Sequence, residues 1–162
     1  MQPRLTTFVF CSTLAFSSWA NTAAQLDVRY IAPESFTDMQ STWSTRENLL
    51  VTLTSHLQKL GQKYLPKGQV MQIDITDIDL AGNLEYPPNA VPVRVMRQFT
   101  PPSITLRWRL QSAENTSPLQ DVTLRDLNYQ ININEYSRGD SLRYEKQMLD
   151  DWFKRSFAAQ AK

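Results

Sequence analysis

Asp74, Asp77 and Asp79 stand close together along the chain, and carboxylates at that density are the ligands that hard cations such as calcium prefer. Glu85 lies near enough in sequence to join them. The finer pattern departs from an EF-hand loop. With Asp77 and Asp79 in the first and third places, Gly82 takes the sixth, but Ala81 fills the fifth and Pro88 the twelfth, and neither offers a side-chain oxygen. A metal site at Asp74, Asp77 and Asp79 is therefore the alternative expectation. The leading one pairs Asp74 with an arginine of a neighbouring strand and leaves Asp77 and Asp79 to shape a bulge and a turn.

Arg94, Arg97, Arg107, Arg109 and Arg125 give the middle of the chain a basic tendency, with Trp108 among them. Arginine beside an aromatic side chain can bind anions or stack on sugars and bases. Strand alternation, however, turns Trp108 to the face opposite Arg107 and Arg109. The arginines together with Asp74 are the candidate contacts for a ligand or partner, weighed against solvated or aspartate-paired strand arginines.

His56 is the single histidine and falls at the edge of an apolar helical stripe. A catalytic histidine needs partners to orient it, and adjacent Ser55 cannot serve, because successive helical residues do not face each other. Glu145 and Lys146 project within the apolar arc of a later helix, where a charge must be paired or reach water. An ion pair at a helix–sheet seam is expected there. A hydrolase built on Glu145 and His56 is the weakest reading. Gly-rich phosphate loops, the G-x-S-x-G elbow and H-E-x-x-H do not occur, so no catalytic residues and no cofactor are assigned, and binding is favoured over catalysis.

The elements that would position these residues follow from periodicity. Leu26 to Ile31 alternates as a strand. Ser44 and Glu47 form a capping box before a helix whose stripe runs Leu49, Leu53, Leu57, Leu60 and Tyr64, stopped by Pro66. Met71, Ile73 and Ile75 alternate as a second strand, and the phase then shifts to Ile78 and Leu80, which predicts a bulge near Asp77. Strand, helix, strand at this length predicts a parallel pair. Five prolines between Asn83 and Pro102 allow at most an edge strand around Val93 to Met96. Ile104 to Leu110 and Val122 to Ile131 read as a long-looped hairpin, and a final amphipathic helix begins at Asp140 or Ser141 as N-cap. The expected fold is α+β, a two-layer sandwich of about four strands in a mixed sheet with two helices on one face, in the order β-α-β-β-β-α. Its other face is expected to be polar, from Asp27 and Arg29 across to Thr123 and Arg125.

Residues 1–20 carry Arg4, an apolar run from Phe8 to Trp19 and a small-residue end at Ala20, the pattern of a cleaved secretory signal peptide. The expected mature chain is then a single domain over residues 21–162. Cys11 is the only cysteine, so that chain has no disulfide; Phe10 before it argues against lipoprotein processing. Loss of Arg4 would leave 16 basic and 16 acidic residues, a balance that speaks against nucleic acid as a partner. No later stretch is apolar enough to anchor the chain in a membrane.

The segments LGQKYLPKGQ (residues 60–69), IDITDIDLAG (73–82) and YEKQMLDDWF (144–153) resemble an uncharacterised exported family of Gram-negative bacteria, the domain-of-unknown-function family 3016. The resemblance covers most of the mature chain and implies a bacterial, periplasmic protein. It transfers no catalytic residue. The expectation is a soluble periplasmic binding or accessory module of the cell envelope, meeting an envelope protein or small ligand through the polar sheet face and the proline-rich segment from Tyr86 to Pro102.

Overall fold

The computed structural model describes residues 25–158. Its first unit is a strand, β1 (Gln25–Tyr30), a helix, α1 (Arg46–Tyr64), and a second strand, β2 (Val70–Asp79), and the two strands pair in parallel. A short hairpin of β3 (Asn83–Glu85) and β4 (Val93–Val95) follows. The chain then forms β5 (Ser103–Gln111), β6 (Gln120–Arg125) and the closing helix α2 (Arg143–Phe157). The main sheet runs β1-β2-β5-β6, antiparallel after the first pair, so the fold is α+β with a four-stranded mixed sheet.

Alternation decides which side of the sheet is covered. Leu26 of β1, Met71, Ile73 and Ile75 of β2, Ile104 and Leu106 of β5 and Leu124 of β6 all enter one core cluster with the stripe of α1 and the aromatic side of α2. Leu57 and Phe153 have no exposed surface, and burying each such side chain contributes about 1.5–3 kcal/mol. Trp108 turns into this layer, edge-on to Phe157 at 5.3 Å and to Trp152 at 6.1 Å. It is thereby removed from the arginines on either side of it, as alternation requires.

The bulge lies where the apolar phase shifts. Ile75 pairs with Leu106 and Asp77 with Thr105, which leaves Thr76 as the extra residue. Both Ile75 and Ile78 consequently reach the core, and Asp77 is freed to accept hydrogen bonds from the Thr37 N–H at 2.7 Å and hydroxyl at 2.8 Å.

Three local expectations need correction. The cap of α1 is Thr45, whose Oγ1 accepts from Asn48 N at 3.3 Å, while Ser44 turns its hydroxyl toward the Thr45 carbonyl. Helix α2 begins after Leu142, and Asp140 satisfies the Leu142 N–H at 2.9 Å from just outside the helix. The run from Val122 leaves the sheet after Arg125. There Asp126 Oδ1 accepts from Asn128 N and Asn132 Nδ2, both at 3.0 Å, and these local bonds fold the chain out of the ladder. Within the limit the prolines set, the proline-rich segment forms one short strand, Val93 to Val95, which pairs only with β3 and not with the main sheet.

Candidate functional site

On the outer face of the sheet, register sets the expected residues side by side. Asp74 lies between Arg29 of β1 and Arg107 of β5. Arg29 Nε stands 2.8 Å from Asp74 Oδ1, and Arg107 Nη2 stands 3.9 Å from Oδ2. One strand position along, Arg109 Nε donates to Gln72 Oε1 at 2.7 Å, and Thr105 and Thr123 share a hydroxyl hydrogen bond at 3.2 Å. Arg107 is the loosest member, its Nε having no hydrogen-bond partner among the described residues. Arg125 is exposed at the edge of the sheet. The face is thus a cross-strand ladder in which most charge and polarity is already answered.

The acidic trio disperses. Asp74 belongs to that ladder and Asp77 to Thr37, while Asp79 bridges in register to Asp38. Burial, then the neighbouring Asp38 and Asp77 charges, raise the Asp79 carboxyl above its ordinary range. Among the described residues no group of three or more His, Cys, Asp or Glu side chains is placed to hold a metal ion. Their partners explain the separation: the bulge returns Asp77 to the face of Asp74, but Arg29 engages one carboxylate and Thr37 the other.

Arg94 and Arg97 lie on and just past the hairpin. Gly82, at φ +75°, opens it in a conformation that a side chain resists, and a Cβ there would stand 2.5 Å from the Val95 carbonyl oxygen. Arg94 closes it. Its Nη1 donates to Ala81 O at 3.1 Å and Gly82 O at 2.9 Å, and its Nη2 to Asp38 Oδ1 at 3.0 Å and Gln40 O at 2.6 Å. Arg97 pairs with Glu85, and its carbonyl accepts from the Tyr129 hydroxyl at 2.7 Å.

Behind the hairpin, Glu145 is wholly buried and accepts the Ala81 N–H at 2.8 Å. Burial pushes its carboxyl up to about 7, against the pull of that hydrogen bond and of Arg94. The expected ion pair at the helix–sheet seam is therefore replaced by a backbone bond, with Arg94 acting only through its field. Lys146 pairs instead with Asp140 Oδ2, at 2.6 Å.

His56 has found partners that sequence spacing hides. Its Nε2 stands 2.9 Å from Asp150 Oδ1, off the line of a hydrogen bond, and the Tyr136 hydroxyl donates to Asp150 Oδ2 at 2.5 Å. Burial alone would raise Asp150, but His56 and Tyr136 outweigh it and hold the carboxyl below its ordinary range. Glu145 is in neither contact, so the two residues of the hydrolase reading occupy separate networks. This cluster ties α1 to α2 and to the loop before α2.

A cleft of about 880 Å³ opens between the hairpin, residues 41–43 and the loop 126–141 that leads into α2. That volume lies within the usual size of small-molecule sites. Leu49 and Leu80 form part of its floor. Tyr129, buried and edge-on to Tyr144 at 4.8 Å, stiffens one wall, and Trp43 stands 88% exposed at the rim. Arg94, Arg138 and Arg143 bring positive charge; among the described residues neither Arg138 nor Arg143 takes part in an ion pair. Of the individual candidate site residues expected from sequence, only Arg94 lines this cleft, joined by Val93 and Met96 from the proline-rich segment. Trp43, Arg138 and Arg143 were missed because they lie in irregular segments or at a helix start, where periodicity gives no facing; the signal available was an aromatic–arginine–asparagine cluster in non-periodic chain.

Among the described residues no helix is long and apolar enough to cross a membrane. No curated protein matches the chain. The family model described as "Protein of unknown function (DUF3016)" matches residues 24–155, and the chain belongs to that family.

Proposed function

We propose that the protein is an exported binding module of the bacterial cell envelope, working in the periplasm, and that its ligand sits in the cleft beside the proline-rich hairpin rather than on the outer sheet face. One observation carries the choice of surface: the cleft joins a concave volume to Arg138 and Arg143, both outside any ion pair among the described residues, whereas on the sheet face Arg29 and Arg107 stand against Asp74 and Arg109 against Gln72. The hairpin part of the expected contact region, Val93, Arg94 and Met96, lines this cleft and so fits the reading. Export rests on the leader pattern of residues 1–20, which lie outside the described residues.

A fragment screen followed by amide and indole chemical-shift mapping tests the surface. The expected result is that binders perturb Trp43, Tyr129 and Arg143; binders confined to Arg107 and Arg109 would return the outer face to first place. Mass spectrometry of protein expressed in a Gram-negative host tests the address. A periplasmic form beginning at Asn21 is expected, and an unprocessed cytoplasmic chain contradicts it.

A further inference from the structure

We infer that the cleft takes an oxyanion carried on a flat apolar group, an aryl or similar planar moiety bearing a carboxylate or phosphate. This deepens the proposed binding role and rests on the cleft being the ligand site.

The charges around the cleft are unequally committed. Arg94 is consumed by Asp38 and three carbonyls, and it shapes the wall rather than serving a ligand. Asp140, the one carboxylate among the lining side chains, is answered by Lys146 at 2.6 Å. What remains uncommitted is the positive charge of Arg138 and Arg143. Arg143 is further prepared: its carbonyl is held by Asn134 Nδ2 at 3.0 Å, its guanidinium lies 5.1 Å over the Tyr144 ring, and its buried Nε has no hydrogen-bond partner among the described residues. That Nε is closed to solvent, as is the Nε of Arg107 on the sheet, so what a ligand meets at Arg143 is the charge of a half-buried guanidinium. The positive end of α2, a helix of 15 residues, adds to the same field, since Arg143 and Tyr144 are its first residues. The net charge of the lining therefore disfavours a cationic ligand.

The flat apolar part follows from Trp43. An indole 88% exposed at the rim of a cavity that also contains Leu49, Leu80 and Met96 offers a face to stack on and an apolar floor beneath. Inorganic phosphate alone would use the arginines and leave that surface wet. The two features together specify a ligand with an anionic head and a planar body.

The test compares phenyl phosphate and benzoate with benzyl alcohol, benzylamine and inorganic phosphate, titrated into the purified protein while the Trp43 indole N–H and the Arg143 Nε–H resonances are followed. Both aryl anions should bind about tenfold more tightly than benzyl alcohol and than inorganic phosphate, with no binding of benzylamine. Arg138→Gln together with Arg143→Gln should remove that advantage, with an unchanged circular dichroism spectrum, and Trp43→Ala should weaken the aryl anions but not inorganic phosphate. Benzyl alcohol binding in the cleft as tightly as the anions overturns the anion assignment while leaving the cleft as the binding site. No perturbation of either resonance by any probe at millimolar concentration, or perturbation only around Arg107 and Arg109, overturns both.

Discussion

The outer sheet face carries Arg29, Arg107, Arg109 and Arg125, and the cleft carries Arg94, Arg138 and Arg143, yet among the described residues most of the first set stand against an ion-pairing or hydrogen-bonding side chain and two of the second do not. On the sheet, strand register places Asp74 between two arginines and Gln72 against a third, so Arg29, Arg107 and Arg109 have partners and Arg125 at the edge has none among the described residues. In the cleft, Arg94 is saturated and shapes a wall, while Arg138 and Arg143 have no counter-ion among the described residues. What distinguishes them is pairing, not the density of charge. Regular strands bring partners together automatically at fixed spacing. Loops and helix ends do not, and there an uncommitted charge persists beside a cavity.

The comparison is most exposed at Arg94. Replacing it with Ala leaves Asp38 and the Ala81 and Gly82 carbonyls without their donor, and breaking such a largely buried pair costs about 3 kcal/mol. Urea unfolding should show that loss, together with loss of any cleft ligand. A cost no larger than that of a sheet-face substitution would mean that the two regions are built alike.

Glu145 gives a pH signature of nearly the same size. Its carboxyl titrates at about 7 in the folded protein and near 4.5 when unfolded, so between those values the folded state holds the extra proton. Stability therefore falls as pH rises from about 4.5 to 7 and levels off above, by up to about 3 kcal/mol. Glu145→Gln keeps an acceptor for the Ala81 N–H and should abolish that slope in melts recorded across the range. The lowered carboxyls of Asp140 and Asp150 act in the other direction and lower down, their stabilisation being lost as pH falls below the ordinary carboxylate range.

Effects on the outer face should be smaller. Asp74→Ala removes both arginine contacts, but the Arg29 and Arg107 side chains are 55% and 40% exposed, and screened pairs of this kind contribute at most about 1 kcal/mol. Denaturant midpoints should move accordingly, with cleft binding intact. Trp43→Ala should be the mildest for stability, within about 0.5 kcal/mol, because the indole is almost wholly exposed. The same change should weaken aryl ligands in a titration, which separates a binding residue from a packing one.

Much of this architecture is legible in the residue pattern. The alternation of Met71, Ile73 and Ile75 and its shift to Ile78 locate β2 and its bulge, and the stripe of Leu49 to Leu60 locates α1, because burial on one side enforces period in both cases. The loop 126–141 defeats that logic. Tyr129, Ile131 and Ile133 alternate like a continuing strand, but the side chain of Asp126 captures Asn128 and Asn132 and turns the chain away, leaving Tyr129 buried and both isoleucines exposed. Part of the cleft's lining, from Tyr129 to Ser141, comes from this same segment. Partnerships such as His56 with Asp150, or Glu145 with the Ala81 N–H, join residues far apart in sequence and only tertiary packing creates them.

One paired measurement tests the assignment of binding to the cleft. Affinity for phenyl phosphate is measured for the unaltered protein, for Arg138→Gln with Arg143→Gln, and for Arg107→Gln with Arg109→Gln. The cleft pair should lose about tenfold in affinity and the sheet pair less than about twofold; a tenfold loss on the sheet face with the cleft pair unchanged would contradict the account.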